Sequence, residues 1–445
     1  MTKKADGGNR TAPQSQVIDL MLHLLGVLRI TDEQEVADLV GVTREQVKNW
    51  KKGLGENLKL VTLDGVKRAL AAHLSSILAQ THSVDPNSTS VRLEVEEGAG
   101  PSELLRQFGD KYHHDSYLGH RFLYYDPHCA LAWENLIKRG YGQEEWLHGV
   151  ERCAEKWLGS LREGQGVEVV SLGPGEGEKE SRILRKVVQR EQQLHRPFAW
   201  LTYMPVDLSM PLLLKAAKRA LSEPNLWVAR GAGLRQMIPV CADFEYGRLD
   251  FVSRLAGDQR ADGRRIVLVL GNILGNVRDE ESFIRRTLHR LTRPGDLIWI
   301  EVARKLDPIE ADPVYPMTVS KSERTAEEST RATLLEMPYR VWEVSQGRLP
   351  RDVNLRVTLQ RYEGGDDSCK VPGSVNFCHD LVIQEEKMQQ RIRTMLFTRR
   401  YSDDALTALF EKLDLVPEDI VHVKDSKGRP LIAHHLLRRE ESAGR

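Results

Sequence analysis

Three glycines, Gly173, Gly175 and Gly177, separate an apolar run from a charged, helix-forming stretch in VEVVSLGPGEGEKESRIL. Glycine lets backbone N–H groups come close to a bound ligand, and a strand-to-helix turn lies outside the carboxyl end of a strand, where α/β sheets hold ligands. The loop lacks the Gly-Lys-Ser/Thr closure of a P-loop, and its glycine spacing is not the GxGxxG of a dinucleotide fingerprint. By itself it also fits a purely steric turn. Further candidates follow in chain order. YMPVDLS puts Asp207 at the end of the next apolar run, where a carboxylate can accept both hydroxyls of a ribose. VCADFE puts Asp243 beside Phe244, a carboxylate for an exocyclic amine next to a ring that can flank a base. LVLGNILGN ends another run with Gly271, Asn272, Gly275 and Asn276. A single Asp is more often a turn former than a ligand. Three such sites on successive strand ends point to a nucleotide-like cofactor.

The elements that must position these residues can be read around them. VEVVSLG, FAWLTYMPVD, LWVARGAGL, RIVLVLGNI and DLIWIEV are short apolar runs separated by helix-length amphipathic segments, which predicts βαβ units and a parallel sheet. NLRVTLQRY, HDLVIQE, IRTMLFTRRY and PLIAHHLL read as antiparallel strands around one helix, Asp403–Leu413. The expected division is a disordered tail (1–15), a helical domain (16–81), a linker (82–100), a helical segment joining a substrate domain (101–162), a Rossmann-like cofactor domain (163–320) and an accessory α+β domain (321–445). The fold class is therefore α/β, with an all-α N-terminal module.

The block from about Val167 to Val302 resembles the histidine-specific methyltransferase family, through LGPGEGEK, YMPVDLS, ADFE and LGNILGN. The resemblance implies a class I methyltransferase fold with S-adenosylmethionine held by Gly173, Gly175, Lys179, Asp207, Asp243, Phe244 and Gly271. It also implies that Asn276 faces the acceptor. Tyr124 and Tyr125 are similar to the tyrosines that hold the substrate amine in that family, which makes Tyr125, with Asn276, a candidate catalytic residue; ordinary aromatic packing is the alternative. The family grips the imidazole with a Thr-Glu-x-Ser strand. The matching strand is Arg393–Thr398, where Met395 and Phe397 replace the Glu and Ser. An imidazole N–H left unpaired there would cost about 1–3 kcal/mol, so free histidine is not the expected acceptor. Methyl transfer needs mainly positioning and a water-poor pocket, with a base only where the acceptor carries a proton. The expected activity is N-methylation of a small molecule, peptide or protein. DNA base methylation is disfavoured, because GNILGN stands where an Asp/Asn-Pro-Pro-Tyr/Phe motif would.

Upstream, ITDEQEVADLVGVTREQVKNWKKG resembles a phage-repressor helix-turn-helix. Gly41 would make the turn, Thr43 would cap the second helix, and Val47 and Trp50 would face the core. Arg44, Lys48, Asn49 and Lys52 would then point outward, a set suited to phosphates and base edges. A protein-docking helix pair is the other reading. Modules of this kind usually act as dimers, so a homodimer and DNA are expected partners. The alternative function is a DNA-binding regulator or defence component that uses the cofactor fold as a sensor or scaffold.

Lys+Arg and Asp+Glu are both 64, which excludes only a chain that is basic throughout. The five cysteines, Cys129, Cys153, Cys241, Cys369 and Cys378, form no CxxC pair and suggest neither a zinc cluster nor a disulfide framework. His113, His114, His120 and His128 match no metal-ligand spacing and read as solvated or capping residues, so no metal is expected. The basic run Arg391–Arg400 reads as a strand with its charged side in water. Segment 312–343 reads as a lid or a partner-binding insertion. The polar N-terminus has no signal-peptide core and no apolar run could span a bilayer, so a cytoplasmic protein is expected.

Overall fold

The computed structural model describes residues 32–40, 43–51, 60–81, 89–96, 99, 104, 107–108, 110–111, 114–115, 117–123, 144–228, 234–255, 263–308, 353–363, 371–385, 391–424 and 427–440. Its centre is one twisted sheet. β3 (Gly166–Leu172) and β4 (Trp200–Asp207) are buried at every residue, as a parallel strand covered on both faces must be. Outward from β3, one side runs β4, β5 (Leu234–Met237) and β1 (Thr89–Val91). The other runs β7 (Gly263–Val269), β8 (Leu297–Ala303), β13 (Pro430–Arg439) and β12 (Leu415–Lys424). Two short strands, β2 (Glu94–Val95) and β6 (Val240–Cys241), pair beside the carboxyl end of β4. All neighbours from β1 to β8 are parallel, and β13 is antiparallel to both β8 and β12. The chain leaves β3 towards β4 and returns on the other side as β7, which makes the carboxyl end of β3 the topological switch point. This is the doubly wound, Rossmann-like arrangement expected.

Helices α4 (Glu144–Leu158), α5 (Glu178–Gln193) and α6 (Met210–Leu221) cover the sheet. In α5, Ile183, Leu184, Val187 and Val188 recur on one face and are buried. Pro211 sits in the first turn of α6, where its missing N–H is harmless. At the N-terminus α1 (Glu33–Val40), α2 (Arg44–Lys51) and α3 (Leu60–Thr81) bury Ala37, Val47, Leu70, Leu74 and Leu78. Thr43 does cap α2. Its Oγ1 accepts from Gln46 N at 3.2 Å, and Gln46 Oε1 accepts from Thr43 N at 2.8 Å, a reciprocal capping box. Gly41, Lys52 and the side chain of Trp50 lie outside the described residues.

The structure corrects several boundaries. The described residues Leu226–Val228 at the start of LWVARGAGL are not strand. Asn225 turns the chain at φ 63°, Trp227 is fully buried, and its Nε1 donates to Ala220 O at 2.8 Å, so Trp227 closes α6, and β5 is Leu234–Met237. Part of the expected linker 82–100 is strand, because Thr89–Val91 completes the edge beside β5. The accessory unit does not run from 321 to 445. β9 (Val353–Glu363), β10 (Val375–Glu385) and β11 (Arg391–Arg400) form a separate antiparallel sheet, whereas β12 and β13 return to the central one. Between them α7 (Asp403–Lys412) is capped by Ser402. β11 does not turn its charged side to water throughout. Arg399 is 1% exposed, bonded to the carbonyls of Val277 and Arg278 and paired with Glu280 at 3.3 Å. No described helix is long and apolar enough to cross a membrane.

Candidate active site

β3 ends at Leu172 and α5 begins at Glu178, and the turn between them has Gly173, Gly175 and Gly177 at φ 57°, 57° and 76°. L-residues rarely adopt that region. At Gly173 a Cβ would also meet Ile273 Cδ1 at 2.8 Å and the Phe244 ring at 3.3 Å. Gly271, at φ 75°, is the opposite case: a Cβ there would touch nothing within 4 Å, because that side opens on a cavity. The cavity has a volume of about 550 Å³, within the range of small-molecule sites. Gly173, Gly175, Lys179, Asp207, Asp243, Phe244, Gly271 and Asn276 all line it, so residues separated by a hundred positions meet in one place.

Asp207 ends β4 and is 8% exposed; its Oδ1 accepts from Ser209 N at 2.8 Å. Burial pushes its carboxyl up to about 7, against the backbone N–H groups of Ser209, Gly175 and Leu208, which favour the ionised form. Asp243 is held more firmly. Its Oδ1 accepts from Glu245 N and Tyr246 N at 2.9 and 3.0 Å, and its Oδ2 from Arg121 Nη1 at 2.8 Å. A carboxylate oxygen can accept twice, so this pairing still leaves capacity for a ligand amine. Lys179 reaches Glu301 on β8 at 2.5 and 2.7 Å. Burial opposes the charge on Glu301, but Lys179 and His434 outweigh it and hold its carboxyl below the ordinary range. Lys179 therefore ties the first turn of α5 to the sheet as well as lining the cavity. Asn276 stands at the end of a short helical turn, Ile273–Asn276, and its Oδ1 is buried with no hydrogen-bond partner among the described residues.

Other expected site residues lie elsewhere. Met395 is fully buried in the main core, and Phe397 stacks on Tyr117 with ring centroids 4.7 Å apart and 6° between planes. Neither lines the cavity. Tyr124 and Tyr125, like segment 312–343, lie outside the described residues. The structure adds wall residues that sequence spacing did not indicate: His120, Arg121, Trp146 and Leu147. His120 is a correction to the reading of that histidine group as solvated or capping. It is 7% exposed, because the short 3₁₀ turn His120–Leu123 packs Phe122 and Leu123 into the core and carries His120 with them. His114 is exposed, as expected. The sole signal in the sequence was the mixture of His, Arg and aromatics in LGHRF, which has no period to assign it to a wall.

Among families, residues 150–315 match the one described as histidine-specific, SAM-dependent methyltransferases. No curated protein matches the sequence. Solved structures that are similar include a S-adenosylmethionine-dependent methyltransferase from Clostridium acetobutylicum (12% identity, 69% of this chain and 96% of that one, TM-score 0.34). Another is the Burkholderia thailandensis 1,6-didemethyltoxoflavin-N1-methyltransferase with S-adenosylhomocysteine bound (14%, 71% and 91%, 0.33). A third is an amino pentose methyltransferase, CalS10, from Micromonospora echinaspora (11%, 68% and 95%, 0.29).

Proposed function

We propose that this protein, whose central domain matches the histidine-specific S-adenosylmethionine-dependent methyltransferase family over residues 150–315, methylates an amine nitrogen of a small molecule, peptide or protein other than free histidine. The observation that carries the reading is Asn276 Oδ1, a buried acceptor without a partner among the described residues, on the wall of the cavity. Such an atom costs about 1–3 kcal/mol unless a donor meets it, and an amine or ammonium is a donor. Asp207 would accept the ribose hydroxyls, Asp243 the adenine amine, and Phe244 would flank the ring. Gly173, Gly175 and Gly271 would let the backbone approach. The bound cofactor supplies a methyl group on a sulfonium, ready for transfer to a lone pair. The chain's part is to align that lone pair and to keep water out.

The test is calorimetric titration of the full chain with S-adenosylmethionine and S-adenosylhomocysteine, followed by a screen of amines for release of S-adenosylhomocysteine. Binding together with amine-dependent release is the expected result; no binding of either ligand would refute it. Nucleic acid remains a second candidate partner, favoured by one observation: α2 buries Val47 completely and leaves Arg44 at the surface.

Affinity should also depend on pH through Asp207. Its folded pKa of about 7 lies well above the ordinary aspartate value, so the empty native chain binds this proton more tightly than the unfolded chain does. The group therefore lowers stability as pH rises through that window. A ribose diol needs the ionised carboxylate, so binding must release the proton. Between pH 8 and pH 6 the affinity for S-adenosylhomocysteine should fall about tenfold. Glu180, also on the cavity wall, is pushed up by burial to about 7 as well. The Asp207→Asn variant separates the two: a fall of the same size in that variant would assign it to Glu180 instead.

A further inference from the structure

His120 and Glu245 come from segments more than a hundred residues apart and meet beside the cavity. His120 lines it. Its Nδ1 stands 3.6 Å from Glu245 Oε2, and neither atom has a hydrogen-bond partner among the described residues. A side-chain adjustment of about half an ångström would close that gap to an ordinary hydrogen bond. The carboxylate is otherwise anchored: Glu245 Oε1 accepts from Arg278 N at 2.6 Å, two residues beyond Asn276. The imidazole is seated against Phe244, with ring centroids 6.1 Å apart. The pair thus lies beside the ring expected to flank the adenine, and its carboxylate is tied to the chain two residues beyond the residue expected to meet the acceptor. An imidazole whose Nδ1–H faces a carboxylate keeps its lone pair on Nε2, the arrangement a general base needs.

We infer that His120 is the base that takes the proton from the acceptor nitrogen, and that Glu245 is the positioning residue that fixes its tautomer. The inference rests on the methyltransferase reading above. The proton balance is simple. An acceptor ammonium loses one proton to Nε2 of His120, and the freed lone pair forms the new N–CH₃ bond. The S–CH₃ bond breaks with its electron pair kept by sulfur, S-adenosylhomocysteine leaves, and His120 passes the proton to solvent. Without such a base, an acceptor that arrives protonated has no lone pair to offer. Burial raises the carboxyl of Glu245, whereas the neighbouring imidazole lowers it. The other charged or titratable groups around Glu245 are Asp243 on its own turn, Tyr246, whose side chain hydrogen-bonds the carboxylate, Tyr117, Lys111, and Arg121 and Arg278, which act on Tyr246.

The acceptor is not needed for the test. Sinefungin carries an amine in place of the sulfonium methyl, so it presents an N–H donor where the reacting nitrogen and the methyl group meet. S-adenosylhomocysteine has no group there but shares the remaining contacts. The ratio of the two affinities in the full chain isolates the inferred contact from general damage to the site. It should fall about tenfold in His120→Phe, which keeps a ring of similar shape, and about threefold in Glu245→Gln. Two-bond ¹H–¹⁵N correlation on the wild-type chain should find one histidine in the Nδ1–H tautomer whose signals change in Glu245→Gln. An unchanged ratio in His120→Phe with S-adenosylhomocysteine still bound would overturn the base assignment alone. So would an Nε2–H tautomer for His120, even if the variant proves unstable. Failure of the wild-type chain to bind either compound would overturn the methyltransferase reading, and this inference with it.

Discussion

Replacing Asp207 with alanine is expected to weaken binding of S-adenosylhomocysteine by about 100- to 10,000-fold, because two hydrogen bonds to a charged acceptor are worth roughly 1.5–3 kcal/mol each and every 1.4 kcal/mol is about tenfold. The position supports so large an effect. Asp207 is the last residue of a fully buried strand, and its carboxylate is oriented by Ser209 N at 2.8 Å. No other described carboxylate occupies the end of β4. Asp207→Asn separates charge from shape. It retains an acceptor for Ser209 N but cannot take two donors with a full negative charge, so a loss of about tenfold is expected. Calorimetry on the three proteins, with circular dichroism to check the fold, decides the matter. Unchanged affinity in Asp207→Ala would remove the ribose assignment and require another anchor on the cavity wall. Asp243 would be the next candidate, although Arg121 and two backbone N–H groups already occupy much of its capacity.

Apart from Gly175 and Lys179, the site residues legible in the sequence share one property: each stands at or just beyond the end of an apolar run. Gly173, Asp207, Asp243, Phe244, Gly271 and Asn276 could be aligned with one another from their positions in the chain, because parallel strands bring their carboxyl ends to one edge. His120 and Arg121 lack that register. Arg121 meets Asp243 across 122 positions, and nothing local to either residue announces the contact. The fold was readable for the same reason and to the same depth. β3, β4, β7 and β8 carry continuous apolar runs, the pattern of strands buried on both faces. β12 does not. Pro417, Glu418 and Asp419 interrupt it, and its register shifts between Pro417 and Asp419. Such a strand survives only because it lies at the edge of the sheet, where proline and a bulge are tolerated. The expected third strand differs for the opposite reason. LWV is apolar enough for a strand, but Trp227 is used to close α6.

The largest effect on stability is expected away from the cavity, at Glu168→Ala. Glu168 on β3 and Arg265 on β7 are directly opposed in the parallel register, and both side chains are 0% exposed. Arg265 Nε donates to Glu168 Oε2, and Nη1 donates to the carbonyl of Leu291. Removing the carboxylate takes from a buried guanidinium the counter-charge that faces it across the strand pair, and breaking a buried pair in this way costs about 3–5 kcal/mol. A larger attraction at low dielectric does not make the intact pair strongly stabilising, since burying both charges has already cost much of that gain. The double variant Glu168→Leu with Arg265→Met should therefore be more stable than Glu168→Ala, although it lacks both charges. Denaturant unfolding followed by tryptophan fluorescence tests this order; a double variant less stable than Glu168→Ala would sink it. The consequence for the site comes from geometry. β3 and β7 flank the switch point, and their last residues, Leu172 and Val269, pair directly below Gly173 and Gly271. A loosened β3–β7 pair would let those two loops separate, so Glu168→Ala should also weaken S-adenosylhomocysteine binding under conditions where the chain is still folded, while the apolar double variant should retain most of its affinity.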